Sequence, residues 1–116
     1  MDQYLAQEID LLHEKVCLGI GHPKRILILY ALSIGPRRVN ELAKFLGMHQ
    51  STVSRHLRVL RDRSIVLAER EGVSITYSLA DSRVIQALDL LREVLRTILK
   101  HEAALVEFAA LEDTIQ

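Results

Sequence analysis

The 116-residue chain is 49% apolar, carries 15 basic and 15 acidic residues, and has a single cysteine, Cys17. That length fits one domain, and no run approaches the roughly 18 apolar residues of a membrane span. The lone cysteine excludes an internal disulfide framework and points to a reducing cytoplasm, and the acidic start Met1-Asp2-Gln3 does not read as a signal peptide.

Leu5, Ile9, Leu12 and Val16 recur at helical spacing and predict a first helix from about Asp2 to Leu18, ended by Gly19 and Gly21. Pro23 opens a second helix to about Ser33, apolar on most sides and therefore central. After the Gly35-Pro36 turn, Val39, Leu42, Phe45 and Leu46 mark a short third helix, capped by Asn40 or a residue just before it and closed by Gly47. A fourth helix follows from Gln50 to Arg63, with Val53, Leu57 and Leu60 on its buried side. The period then changes to β. Ile65–Arg70 and Val73–Leu79 predict two strands around a Glu71-Gly72 turn. Asp81 or Ser82 caps a last helix, in which Val84, Leu88, Leu91, Leu95, Ile98 and Leu105 form a seam longer than one small core requires. A helix from a second copy is the expected partner of that seam.

The fold expected from this order is mainly α, a winged helix-turn-helix of about five helices plus a two-stranded hairpin wing, dimeric through the first and last helices. Residues 1–116 form one domain on this reading, with 1–20 and 81–110 as dimerisation helices. The expected dimer-interface residues are Leu5, Ile9, Leu12, Leu91, Leu95 and Ile98.

Charge is zero overall but uneven. Residues 22–63 hold nine basic residues against two acidic ones, between acidic ends. Such a block suits either a nucleic-acid surface or an ordinary solvated basic face. The fourth helix favours the first. Off its apolar stripe lie Ser51, Thr52 and Ser54, followed by Arg55 and Arg58. Short polar side chains let a helix sink into the roughly 12 Å major groove of DNA, where Gln50 or a serine reaches base edges. Arginines reach bases or phosphates on either side. The expected DNA-contacting residues are Gln50, Ser51, Thr52, Ser54, Arg55, Arg58 and, from the wing, Arg70.

The run Leu46-Gly47-Met48-His49-Gln50-Ser51-Thr52-Val53-Ser54-Arg55-His56-Leu57-Arg58-Val59-Leu60 resembles the recognition-helix signature of the ArsR/SmtB repressors. The resemblance extends back to His22-Pro23-Lys24-Arg25 and forward through Arg70-Glu71-Gly72 and Tyr77, covering roughly residues 20–80. It implies a homodimeric winged-helix repressor that binds an inverted-repeat operator in double-stranded DNA and releases it on a signal. Three positions depart from the family pattern. His49 replaces a capping Ser, Ser64 replaces a Gly after the recognition helix, and Val73 replaces a basic residue at the wing tip.

The family's thiolate metal site has no counterpart in Arg38-Val39-Asn40-Glu41-Leu42. Its long-helix zinc site fails at Asp81-Ser82-Arg83 and at His101-Glu102-Ala103-Ala104. No metal site and no cofactor are therefore expected, and the residues identify no inducer. His13 and Cys17, four apart, leave a two-ligand or redox role open, beside the plainer reading of Cys17 as a small core residue and of His13 and His101 as surface side chains. No phosphate loop, nucleophile elbow or paired carboxylates point to an enzyme. The alternative function is a winged-helix protein-interaction module that does not bind DNA.

Overall fold

The structure is a computed structural model that describes residues 1–115. It falls into two units, Met1–Ser82 and the segment from Arg83 onward. The first unit runs α1 (Gln3–Leu12), a π-helical turn (His13–Cys17), α2 (Leu18–Ile20), α3 (Pro23–Ile34), β1 (Arg37–Arg38), α4 (Val39–Leu46), α5 (Gln50–Asp62), β2 (Val66–Glu71) and β3 (Ser74–Leu79). The second unit is α6 (Arg83–Ile115), 33 residues or about 50 Å of helix.

The core of the first unit is built by the apolar stripes of α3, α4 and α5. Ile28, Leu29, Leu42, Val53, Leu57, Leu60 and Val66 are all essentially inaccessible to solvent. Full burial of such side chains stabilises a fold by about 1.5–3 kcal/mol each. Val53, Leu57 and Leu60 are the stripe expected from the sequence, and they hold α5 against α3, α4 and β2. The strands form one antiparallel sheet in the order β1-β3-β2. Arg37 pairs with Tyr77, and the β2–β3 hairpin runs from Val66↔Leu79 to Glu71↔Ser74. The hairpin turn lies one residue later than expected, at Gly72-Val73. Glu71 still pairs across the ladder, and Gly72 takes the positive φ (62°) that a two-residue hairpin demands.

Helix boundaries follow local chemistry. His22 caps α3, its Nδ1 accepting the Lys24 N–H at 3.1 Å, with Pro23 behind it in the first turn. α4 starts one residue before Asn40, with Arg38 as its N-cap residue. The Glu41 carboxylate accepts the Arg38 N–H at 3.1 Å. That bond and the Arg38 guanidinium hold the Glu41 carboxyl below its ordinary pKa. Gly47 ends α4 in the left-handed conformation, at φ 66°.

α5 ends in a Schellman motif. The Ile65 N–H donates to Leu60 O and the Ser64 N–H to Arg61 O, both at 2.9 Å. The left-handed position is Ser64, at φ 62°, where a Cβ is strained. Ser64→Gly is expected to raise stability by about 0.5–1 kcal/mol. A higher urea midpoint at unchanged m-value would show it. An unchanged or lower midpoint would contradict strain at this position.

Three expectations in the N-terminal segment need correction. The first helix is not uniform, because its backbone widens into a π-turn at His13–Cys17. That turn shifts the helical phase beyond Leu12. Cys17 is exposed rather than a core residue. Gly19 does not stop the helix but lies buried within α2. A Cβ there would meet Ile65 Cδ1 at 2.5 Å and Arg63 Cδ at 2.9 Å, so glycine allows the close approach of the segment that follows α5.

Candidate nucleic-acid interface

The first turn of α5 projects from the Gly47-Met48-His49 turn. His49 stands at the N-cap in extended conformation, but its side chain makes no capping bond, and the helix still begins at Gln50. The helix start therefore carries N–H donors without a side-chain cap and no acidic residue in its first turn. Gln50, Ser51, Ser54, Arg55 and Arg58 are exposed and Thr52 is half-buried. Arg55 and Arg58 have no hydrogen-bond or ion-pair partner among the described residues.

Two grooves flank this face. One, of about 480 Å³, joins Gln50 and Ser54 of α5 to Arg38 and Asn40 at the start of α4 and to Ser74 and Tyr77 of the wing. The other, of about 490 Å³, lies between Lys24 of α3 and Met48, His49 and Thr52. The geometry thus brings Gln50 and Ser54 together with the wing. Arg70 is exposed on β2 opposite Ile75, outside the lining of either groove. Lys24, Arg38, Asn40 and Ser74 border the site and were not among the expected contacts, although Lys24 and Arg38 belong to the basic block.

The block is divided by the fold. Arg25 turns inward, donating from Nε to Gly19 O at 2.5 Å and from Nη2 to Leu18 O at 3.2 Å. Arg63 donates to Glu14 O in the π-turn. Arg37 lies 5.6 Å from the centre of the Phe45 ring, and Arg38 pairs with Glu41 at 3.3 Å. His56, on the same helix as the exposed arginines, is only 6% exposed, which its residue type did not suggest. Its ring centroid is 4.5 Å from that of His22, and its Nδ1 accepts from Arg25 Nη1 at 3.2 Å. Burial first, then the nearby His22 and Arg25, hold its pKa below the ordinary histidine value.

A short helix, a tight turn and a second helix with a polar outward face, followed at once by a hairpin, define a winged helix-turn-helix protein. Residues 22–66 match the family described as "Bacterial regulatory protein, arsR family". The chain is 51% identical over 71 residues to the HTH-type transcriptional regulator NmtR of Mycobacterium tuberculosis, a match covering 61% of this chain and 59% of NmtR. It is 35% identical over 98 residues to the HTH-type transcriptional regulator CmtR of Mycobacterium bovis, covering 84% and 83% of the two chains. The chain belongs to the arsR family and is a transcriptional regulator of the HTH type, not an enzyme.

Solved structures agree. The homodimeric winged helix-turn-helix DNA-binding domain of a possible ArsR-family regulator from Mycobacterium bovis superposes with a TM-score of 0.71 at 29% identity, covering 87% of this chain and 93% of that one. The solution structure of apo-NmtR gives a TM-score of 0.62 at 40% identity, covering 78% and 73%.

Proposed function

We propose that this protein is a homodimeric repressor that reads an inverted-repeat operator with the outward face of α5. Gln50, Ser51, Thr52 and Ser54 enter the major groove, Arg55 reaches a base edge, Arg58 a phosphate, and Arg70 of the wing the flanking backbone. The observation that carries this reading is the continuous polar surface of α5, bordered by the wing on one side and Lys24 on the other. The M. bovis structure, described as a homodimeric DNA-binding domain, supports a dimer here as well.

The half-exposed stripes Leu5, Ile9 and Leu12 on α1 and Leu91, Leu95 and Ile98 on α6 are the proposed dimer surface. Two-fold symmetry would set the recognition helices about 34 Å apart, one turn of DNA. We place the protein in the cytoplasm with the DNA it regulates. Among the described residues no helix is long and apolar enough to cross a membrane.

Arg55→Ala is expected to lose about 1–3 kcal/mol of discrimination between a selected operator and random DNA. Arg58→Ala is expected to weaken both alike and to lower the slope of affinity against salt by about one charge. Gel shifts across a salt series read both effects. Two variants that bind the operator like wild type would refute the assignment of α5.

A further inference from the structure

Arg25 touches two parts of the molecule, the end of the N-terminal helix and α5, which Arg63 also links through Glu14 O. Its guanidinium closes the C-terminal end of the N-terminal helix by donating to the carbonyls of Leu18 and Gly19, and it donates by Nη1 to Nδ1 of His56 on α5. The His56 side faces the core and takes no part in the outward surface assigned to DNA. An imidazole accepts at Nδ1 only when that nitrogen carries no proton. His56 is thereby fixed as the neutral tautomer with its proton on Nε2.

We propose that Arg25 and His56 are a positioning pair for the recognition helix, holding α5 in register with the end of the N-terminal helix, and that the pair holds only while His56 is neutral. Protonation would place N–H against N–H at 3.2 Å and an imidazolium beside a guanidinium. The groups that bear on His56 are His22, Lys24 and Arg25 at the start of α3, and Arg55 on α5 itself. Lys24, Arg25 and Arg55 are cationic, so each disfavours an imidazolium at His56.

The sign follows. The native state favours neutral His56, so it binds fewer protons than the unfolded chain. The pair's contribution is complete above the ordinary histidine pKa of about 6.5 and is lost as pH falls through the lowered native value. What is lost is orientation of the helix, so sequence discrimination falls, while non-specific attraction to phosphate does not.

The inference rests on α5 being the DNA-reading helix, and the test separates the two. The full-length protein is examined by long-range ¹H–¹⁵N NMR at pH 7.5, where His56 is expected to show an unprotonated Nδ1. A protonated Nδ1 would overturn the pair whether or not any variant folds. The ratio of affinities for a selected operator and a random duplex is then measured at pH 7.5 and at the acidic pH where the same spectra show His56 protonated. In the wild type the ratio is expected to fall by about tenfold on acidification, the scale of one lost base contact.

His56→Gln retains an acceptor but does not titrate, and its ratio should be the same at both pH values. His22→Asn keeps a good N-cap without the imidazole, and it should retain the wild-type response. An equal fall in His56→Gln, or its disappearance in His22→Asn, would overturn the proposal. Arg25→Lys, which keeps the charge but not the fork, should lose discrimination already at pH 7.5; a wild-type ratio there would count against the pair. Arg58→Ala is the control on the underlying reading. If it and Arg55→Ala both leave operator affinity unchanged, α5 does not read DNA, and the tautomer still decides whether the pair exists.

Discussion

Leu95→Glu is expected to abolish the dimer. Leu95 is 51% exposed on α6, within the seam that includes Leu91 at 59% and Ile98 at 48%. An exposed leucine is ordinary by itself, but a row of them at heptad spacing suits a helical partner. The stripe on α1, Leu5, Ile9 and Leu12, is of the same kind. If these surfaces meet in a dimer, a carboxylate at position 95 loses its water without gaining a counter-charge. An unpaired buried charge of this sort destabilises by about 3–5 kcal/mol.

Sedimentation at micromolar concentration should then give monomers, or unfolded protein where folding and assembly are coupled. Operator affinity should fall with it, since a monomer engages one half-site and loses the gain of tethering two. A soluble Leu95→Glu protein that remains fully dimeric would contradict this placement of the interface.

Leu57→Ala is expected to be the most damaging single substitution inside the first unit. The side chain is completely inaccessible and lies on the face of α5 that seats it on the domain. Truncating such a leucine typically costs about 2–5 kcal/mol, against a total stability of about 5–15 kcal/mol for a domain. Urea unfolding should show the loss as a lower midpoint. The outward face is untouched, so operator binding should persist in the cold, where the variant stays folded. A loss under about 1 kcal/mol would contradict the core assigned here.

How much of this was legible in the sequence depends on whether the signal is local. The stripe Val53, Leu57, Leu60 is legible because helical period alone sorts the faces of α5, and the fully buried positions match it. The wing is legible from the change to β-branched residues, though not its register. Glycine can occupy either of two neighbouring turn positions, and pairing of Glu71 with Ser74 decides between them. The family resemblance located Ser64 as a position where glycine is usual, and the positive φ supplies the reason.

His56 was not legible as a buried residue. It falls on the stripe of Val53, Leu57 and Leu60, but its residue type hid that, and its partners Arg25, 31 positions earlier, and His22 come from another helix. Cys17 was misplaced because periodicity assumes a uniform helix, and the π-turn breaks that assumption. Gly19 looks like a terminator in one dimension, while its role comes from Ile65 and Arg63. The basic block was read as one surface, yet Arg25 and Arg63 are spent on carbonyls of the N-terminal helix.

Arg25 and Arg63 both grip main-chain oxygens. Arg25 holds those of Leu18 and Gly19, and Arg63 holds that of Glu14. Every residue type supplies a carbonyl, so the grip is indifferent to which side chains the N-terminal helix carries. Its outer positions are therefore free to drift, and with them the affinity or partner preference of the surface they form, without disturbing the hold on the recognition helix. Gly19 is the exception, because any larger residue would push Ile65 away. The fold thus separates a part of the chain that can diversify from the connection it carries, and Gly19 lies at the boundary between them.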